Sequence, residues 1–160
     1  MYIDKADWHW DSAAKLYKES HCITGKFTQK QIDDIYLYAC NHIGLFIKWL
    51  IDNNLQGEDA DAKACQMVRD NLMTGAEYLM RELDGKFCDQ DVSECVLEFV
   101  NQYYGNEYFN DYGAACPCNK HCAPCYSFIS DINDYNALKT YIDAAYKKFN
   151  KRFKKKIKDK

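Results

Sequence analysis

The sequence holds only two prolines, Pro117 and Pro124, and both fall in one stretch, Gly113 to Pro124, where helical patterning fails. That stretch is expected to be the one substantial loop. No apolar run approaches the roughly 18 residues that a membrane span needs. The N-terminal MYIDKADWHWDSAAKLYK also lacks the apolar segment of a signal peptide. The expectation is a cytoplasmic protein without a membrane partner. Internal repeats, low-complexity linkers and recognisable catalytic motifs are missing as well, so a non-enzymatic role is expected.

What is present is helical patterning. In TQKQIDDIYLYACNHIGLFIKWLIDNNL, Thr28 to Leu55, the residues Ile32, Ile35, Tyr36, Ala39, Cys40, Ile43, Ile47, Leu50 and Ile51 recur at three-and-four spacing. A second stripe, Tyr38, His42, Leu45 and Trp49, runs beside it. A helix apolar on two faces belongs at the centre of its domain. Thr28 with Gln31, and Thr74 with Glu77, have capping-box spacing and mark two helix starts. A helix over about Asp59 to Leu72 lies between them, and the one after Thr74 should stop at Asp84-Gly85.

Asp89 or Asp91 is placed to cap the next helix, whose stripe Val92, Cys95, Val96, Phe99, Val100 and Tyr103 runs until Gly105 interrupts. YSFISD reads as a short extended piece. The last helix should start near Asn133 or Asp134, with Tyr135, Leu138, Ile142, Ala145, Phe149 and Phe153 facing the core. At 160 residues the chain is expected to form one α-helical domain over 1–146, of five or six helices, with a minor two-stranded element.

Charge is divided unevenly. Residues 147–160 hold nine Lys or Arg and one Asp, leaving 12 basic and 23 acidic residues in the rest. This tail reads as a solvated helix end, since cations suit a helix C-terminus. Nucleic acid is not the expected partner, because the acidic body repels it and attracts basic proteins. Asp33, Asp34, Glu58, Asp59, Asp61, Asp89, Asp91 and Glu94 are the candidate carboxylates for such a partner. Thirteen tyrosines offer contact area with a polar tip, although many fall on helix stripes and would be core.

Three groups are candidates for chemistry. Cys116, Cys118, Cys122 and Cys125, with His121 among them, could close a tetrahedral zinc site. Their spacing, C-x-C-x3-C-x2-C, is tighter than paired knuckles use, so unligated thiols are the favoured reading and no cofactor is expected. Nine cysteines cannot all pair within one chain, and a reducing compartment argues against a disulfide framework. Trp8, His9, His42 and Trp49 are expected to meet in one aromatic pocket. With Asp4, Asp7 or Asp11 nearby, an imidazole there could serve as a general base, but a neutral, structural histidine is the commoner outcome.

DWHW at Asp7 to Trp10, NHIGLFIKWLIDNNL at Asn41 to Leu55, LDGKF at Leu83 to Phe87 and VNQYYGNEYFNDY at Val100 to Tyr112 resemble a family of uncharacterised bacterial domains. CYSFISDINDYNALKTYIDAAYKKF, Cys125 to Phe149, is similar to that family's closing segment. The combination of DWHW with HIGLFIKW is the specific part, and the cysteine-rich loop departs from the pattern. The resemblance implies a small protein of the kind found among polymorphic-toxin immunity genes. It implies an immunity protein that occludes the active site of a cognate, basic toxin domain. The alternative is a small enzyme or ligand-binding protein using the Trp8, His9, His42 and Trp49 pocket.

Overall fold

A computed structural model describes residues 1–116 and 125–158, with side chains to residue 152. Strand β1 (Tyr2–Lys5) leads directly into helix α1 (Ala6–Ser20), followed by α2 (Gln29–Asp52), α3 (Ala62–Arg69) and α4 (Gly75–Glu82). Strand β2 (Lys86–Cys88) pairs antiparallel with β1, with an irregularity between Tyr2 and Asp4. Helices α5 (Glu94–Tyr103), α6 (Phe109–Ala115) and α7 (Ile132–Lys158) complete the fold. The architecture is mainly α with one small two-stranded sheet. That sheet is made by the chain's first residues and the segment after α4, not by YSFISD, which forms no strand.

Helix α2 is the centre of the domain. Thr28 Oγ1 accepts from Gln31 N and the Gln31 side chain accepts from Thr28 N, completing the capping box. From Ala39 to Ile51 every residue of α2 is buried. The two-faced stripe is therefore real, and the rest of the fold wraps around it. Lys48, buried within this stretch, is satisfied by Val68 O at 3.0 Å and Asp52 at 3.3 Å.

Helix α4 lies against α2 at backbone distance. A Cβ built on Gly75 would stand 1.8 Å from Gly44 O, and one on Gly44 would stand 2.2 Å from Ala76 N. Only two glycines facing each other permit this approach. Helix α3 starts later than its pattern suggests because Asp61 Oδ1 caps it at Ala64 N, 2.7 Å away, and it ends at Arg69.

Neither Asp89 nor Asp91 caps α5, which begins after Ser93. Those carboxylates are engaged elsewhere: Asp89 pairs with the Met1 ammonium at 3.0 Å, and Asp91 accepts from Cys88 N at 2.7 Å. Gly105 does not end the helix either. A π turn over Tyr104–Tyr108 carries α5 into α6. One extra residue per turn shifts the buried stripe from Val96, Val100 and Tyr103 to Tyr104, Tyr108 and Tyr112, so the aromatic wall continues without a break. Helix α7 closes the core with Tyr135, Leu138 and Ile142 and runs on through the basic segment. No described helix is long and apolar enough to cross a membrane.

Candidate functional site

Two places concentrate polar chemistry. The first is set by β1, α1 and α2. The register of β1 turns Asp4 inward, where only 7% of the residue is exposed. His9 follows one turn into α1, and His42 stands midway along α2, completely enclosed by its neighbours. The imidazoles meet edge to face with ring centroids 4.5 Å apart.

Both imidazoles direct Nε2 at the Asp4 carboxylate. His9 Nε2 lies 2.8 Å from Oδ1, and His42 Nε2 lies 3.4 Å from Oδ2. The second contact is an ion-pair distance without hydrogen-bond geometry, and His42 Nε2 is a buried nitrogen with no hydrogen-bond partner among the described residues. Asp4 also accepts from Tyr104 OH at 2.8 Å and from Lys5 N at 2.7 Å. Tyr126 OH lies 2.8 Å from His9 Nδ1 and fixes the orientation of that ring.

Burial alone would raise the Asp4 carboxyl, but the imidazoles of His42 and His9 outweigh it and hold the group well below the usual carboxylate range. Burial pushes His42 the other way from a protonated state, lowering its affinity for a proton against the pull of Asp4. One nitrogen from each histidine and one oxygen from Asp4 lie within 4.8 Å of one another. These are the described residues that could hold a metal ion together.

The expected four-residue aromatic pocket is divided. His9 and His42 do meet, in the company of Phe109, Tyr112 and Tyr126. Trp49 is two helical turns further along α2, about 10 Å on, where it packs on Phe99 and Tyr146 and donates to Asp143 at 2.7 Å. Trp8 faces outward, 60% exposed, with Lys5 over its ring. Spacing along a helix identified the shared stripe but not how far along it the partner helix lies. Of the three candidate carboxylates Asp4 joins the imidazoles, whereas Asp7 accepts from Tyr36 OH. Tyr104 and Tyr126 carried no sequence signal, because nothing in their own spacing connects them to residues about a hundred positions away.

The second place is a cleft of about 530 Å³ between the end of α2, the loop before α3, α4 and β2. Ile47, Leu50 and Ile51 form its apolar floor. Asp59, Asp61, Glu82, Asp84 and Asp91 line it with one cation, Lys86, which pairs with Asp84. Burial raises the pKa of Asp91, although Cys88 N donates to it. Tyr2, exposed on β1, stands at the edge.

Of the eight carboxylates expected to face a partner, Asp59, Asp61 and Asp91 meet in this cleft. Glu58 is exposed beside it in sequence, Asp89 holds the Met1 ammonium, and Glu94 opens α5. Asp33 and Asp34 lie near the other end of α2, roughly 20 Å away at 1.5 Å per residue, where Gln29 and Lys30 engage them. Glu82 and Asp84 were not singled out by the sequence, since their place in the cleft depends on how α4 docks. Most tyrosines are core or half-buried; Tyr2 and Tyr141 are the exposed ones among the described residues.

In the cysteine-rich loop, Cys118 and Cys122, with His121, lie outside the described residues, as does the Phe153 side chain. Cys116 is buried at the end of α6 and Cys125 is half-buried.

No curated protein and no solved structure shows significant similarity to the chain. A family model described as a domain of unknown function, DUF7832, matches residues 2–128. That span takes in β1, both histidines and every residue lining the acidic cleft, and the chain belongs to the DUF7832 family.

Proposed function

We propose that this protein is a non-enzymatic binding module, an immunity protein that neutralises a cognate bacterial toxin by occluding its active site. One observation carries the reading. Five carboxylates, an apolar floor and an exposed tyrosine share one cleft large enough for the side chains of a short basic segment. Lysines and arginines around a toxin's catalytic cleft would be neutralised there, with Tyr2 as an aromatic anchor. Burial works against the charge on Asp91 in the free protein, and a cationic partner would relieve that cost. The cytoplasm is the compartment in which such a complex would form.

The test is affinity capture from the source cells under reducing conditions, followed by native mass spectrometry. A stoichiometric complex with a basic toxin domain is expected. The triple substitution D59K/E82K/D84K, which leaves the Asp61 cap intact, should slow association at least about tenfold at low salt. Unchanged association would place the interface elsewhere.

A second reading, a small-ligand or catalytic site at His9 and His42, is favoured by their convergence on Asp4. Substituting both histidines by Gln should abolish any such activity while the folded variant still binds through the cleft.

A further inference from the structure

The Asp4 cluster poses a problem that the cleft does not address. A buried carboxylate is compensated here by no lysine or arginine among the described ion pairs; the side chains paired with it are the imidazoles of His9 and His42. A simple His9–Asp4 ion pair would account for the 2.8 Å contact. It leaves His42 Nε2, on a side chain 2% exposed, aimed at the carboxylate without a hydrogen bond. An orphaned buried nitrogen is costly and calls for a partner that the described residues do not supply.

We infer that Asp4, His9 and His42 form a binding site for a divalent first-row transition metal ion of the zinc type, with one coordination position left for water. Two imidazole nitrogens and a carboxylate oxygen are a donor set suited to such ions. A tetrahedral ion with bonds of about 2.0–2.1 Å holds its ligand atoms roughly 3.3 Å apart. The His42 to Asp4 separation, 3.4 Å, is already at that spacing, and all three donor atoms fall within 4.8 Å of one another. Small rotations of the His9 and Asp4 side chains complete the convergence.

The surrounding contacts have the form of a metal site's outer shell. Ligating histidines are usually held by a hydrogen bond to the nitrogen that does not bind, and Tyr126 OH occupies that place on His9 Nδ1. Tyr104 OH anchors the carboxylate at 2.8 Å. The His9 side chain is 17% exposed, which puts that edge of the site nearest solvent. A bound ion would tie β1, α1 and α2 together at the middle of the fold. The site is separate from the acidic cleft, and it stands whether or not a toxin binds there.

The test uses the full chain, stripped with a chelator and titrated with Zn²⁺ by calorimetry, with stoichiometry read by elemental mass spectrometry. Because the cysteine-rich loop also offers zinc donors, the same titration is run on C116S/C118S/C122S/C125S. Co²⁺ then reports the donor type, since thiolate ligation adds a near-ultraviolet charge-transfer band that nitrogen and oxygen ligands lack. One ion per chain is expected in the wild type and in the serine variant, without that band in the latter.

Affinity should fall at least a hundredfold in H9Q and in H42Q. Tyr126→Phe should lower it about 10- to 100-fold. Circular dichroism establishes that each variant is folded. Should H42Q fail to fold, H9Q decides, because His9 is the more exposed ligand. No stoichiometric ion in the serine variant, or wild-type affinity in folded H9Q, would overturn the assignment.

Discussion

At the level of single residues, Asp91 shows how a half-buried carboxylate in the cleft can destabilise the free protein. Burial raises its folded pKa above the ordinary carboxylate value. At low pH it is protonated in both states. As pH climbs past about 3.9 the unfolded chain ionises first, so stability falls until pH passes the folded value and then stays lower. Asp91→Asn keeps an acceptor for Cys88 N and removes that penalty. The variant should show a higher Tm than wild type at pH 7, with the difference closing near pH 3, while binding a basic partner less tightly. A Tm that falls at pH 7 would mean that the charge itself holds the turn. The histidine pair was legible because a stripe on α2 left an imidazole facing inward, and DWHW supplied a second. Trp49 was misplaced because one helix's periodicity gives the direction of a side chain but not its neighbours. Asp4 was one of three equivalent candidates until β1 gave it a direction.

At the level of elements, local chemistry was easiest to read where one residue satisfies a nearby backbone group. Both capping boxes form as their spacing requires, and Thr74→Ala should cost about 1 kcal/mol in urea unfolding. The glycine contact is more demanding. Gly44→Ala and Gly75→Ala each force a methyl into the backbone of the opposing helix, and a loss of about 3 kcal/mol is expected for either. A loss below 1 kcal/mol would show that α4 can move away from α2 freely. This contact was invisible in the sequence because the two glycines are 31 positions apart. The π turn was hidden for a different reason: Gly105 reads as a breaker, and what keeps the helix going is burial of Tyr104, Tyr108 and Tyr112 on the core side.

Over the whole molecule, the charge imbalance is the property that acts at a distance. Removing residues 153–160 changes the formal net charge from −3 to −7 and alters none of the described residues that line the cleft. Association with a basic partner should accelerate a few-fold at low salt, and the gain should vanish at high salt as the Debye length shrinks to about 3 Å at 1 M. A gain that persists at high salt would indicate that the segment blocks the surface physically. Which carboxylates cluster was not legible, because it depends on α2, α4 and β2 meeting in space. The glycine contact also bears on how a partner would be received. Ile47, Leu50 and Ile51 on α2 and Tyr78 and Glu82 on α4 line one cleft, and the helices that carry them touch backbone to backbone. The cleft is thereby preorganised: its shape is set during folding, so a partner that docked there would leave little ordering entropy for the moment of encounter.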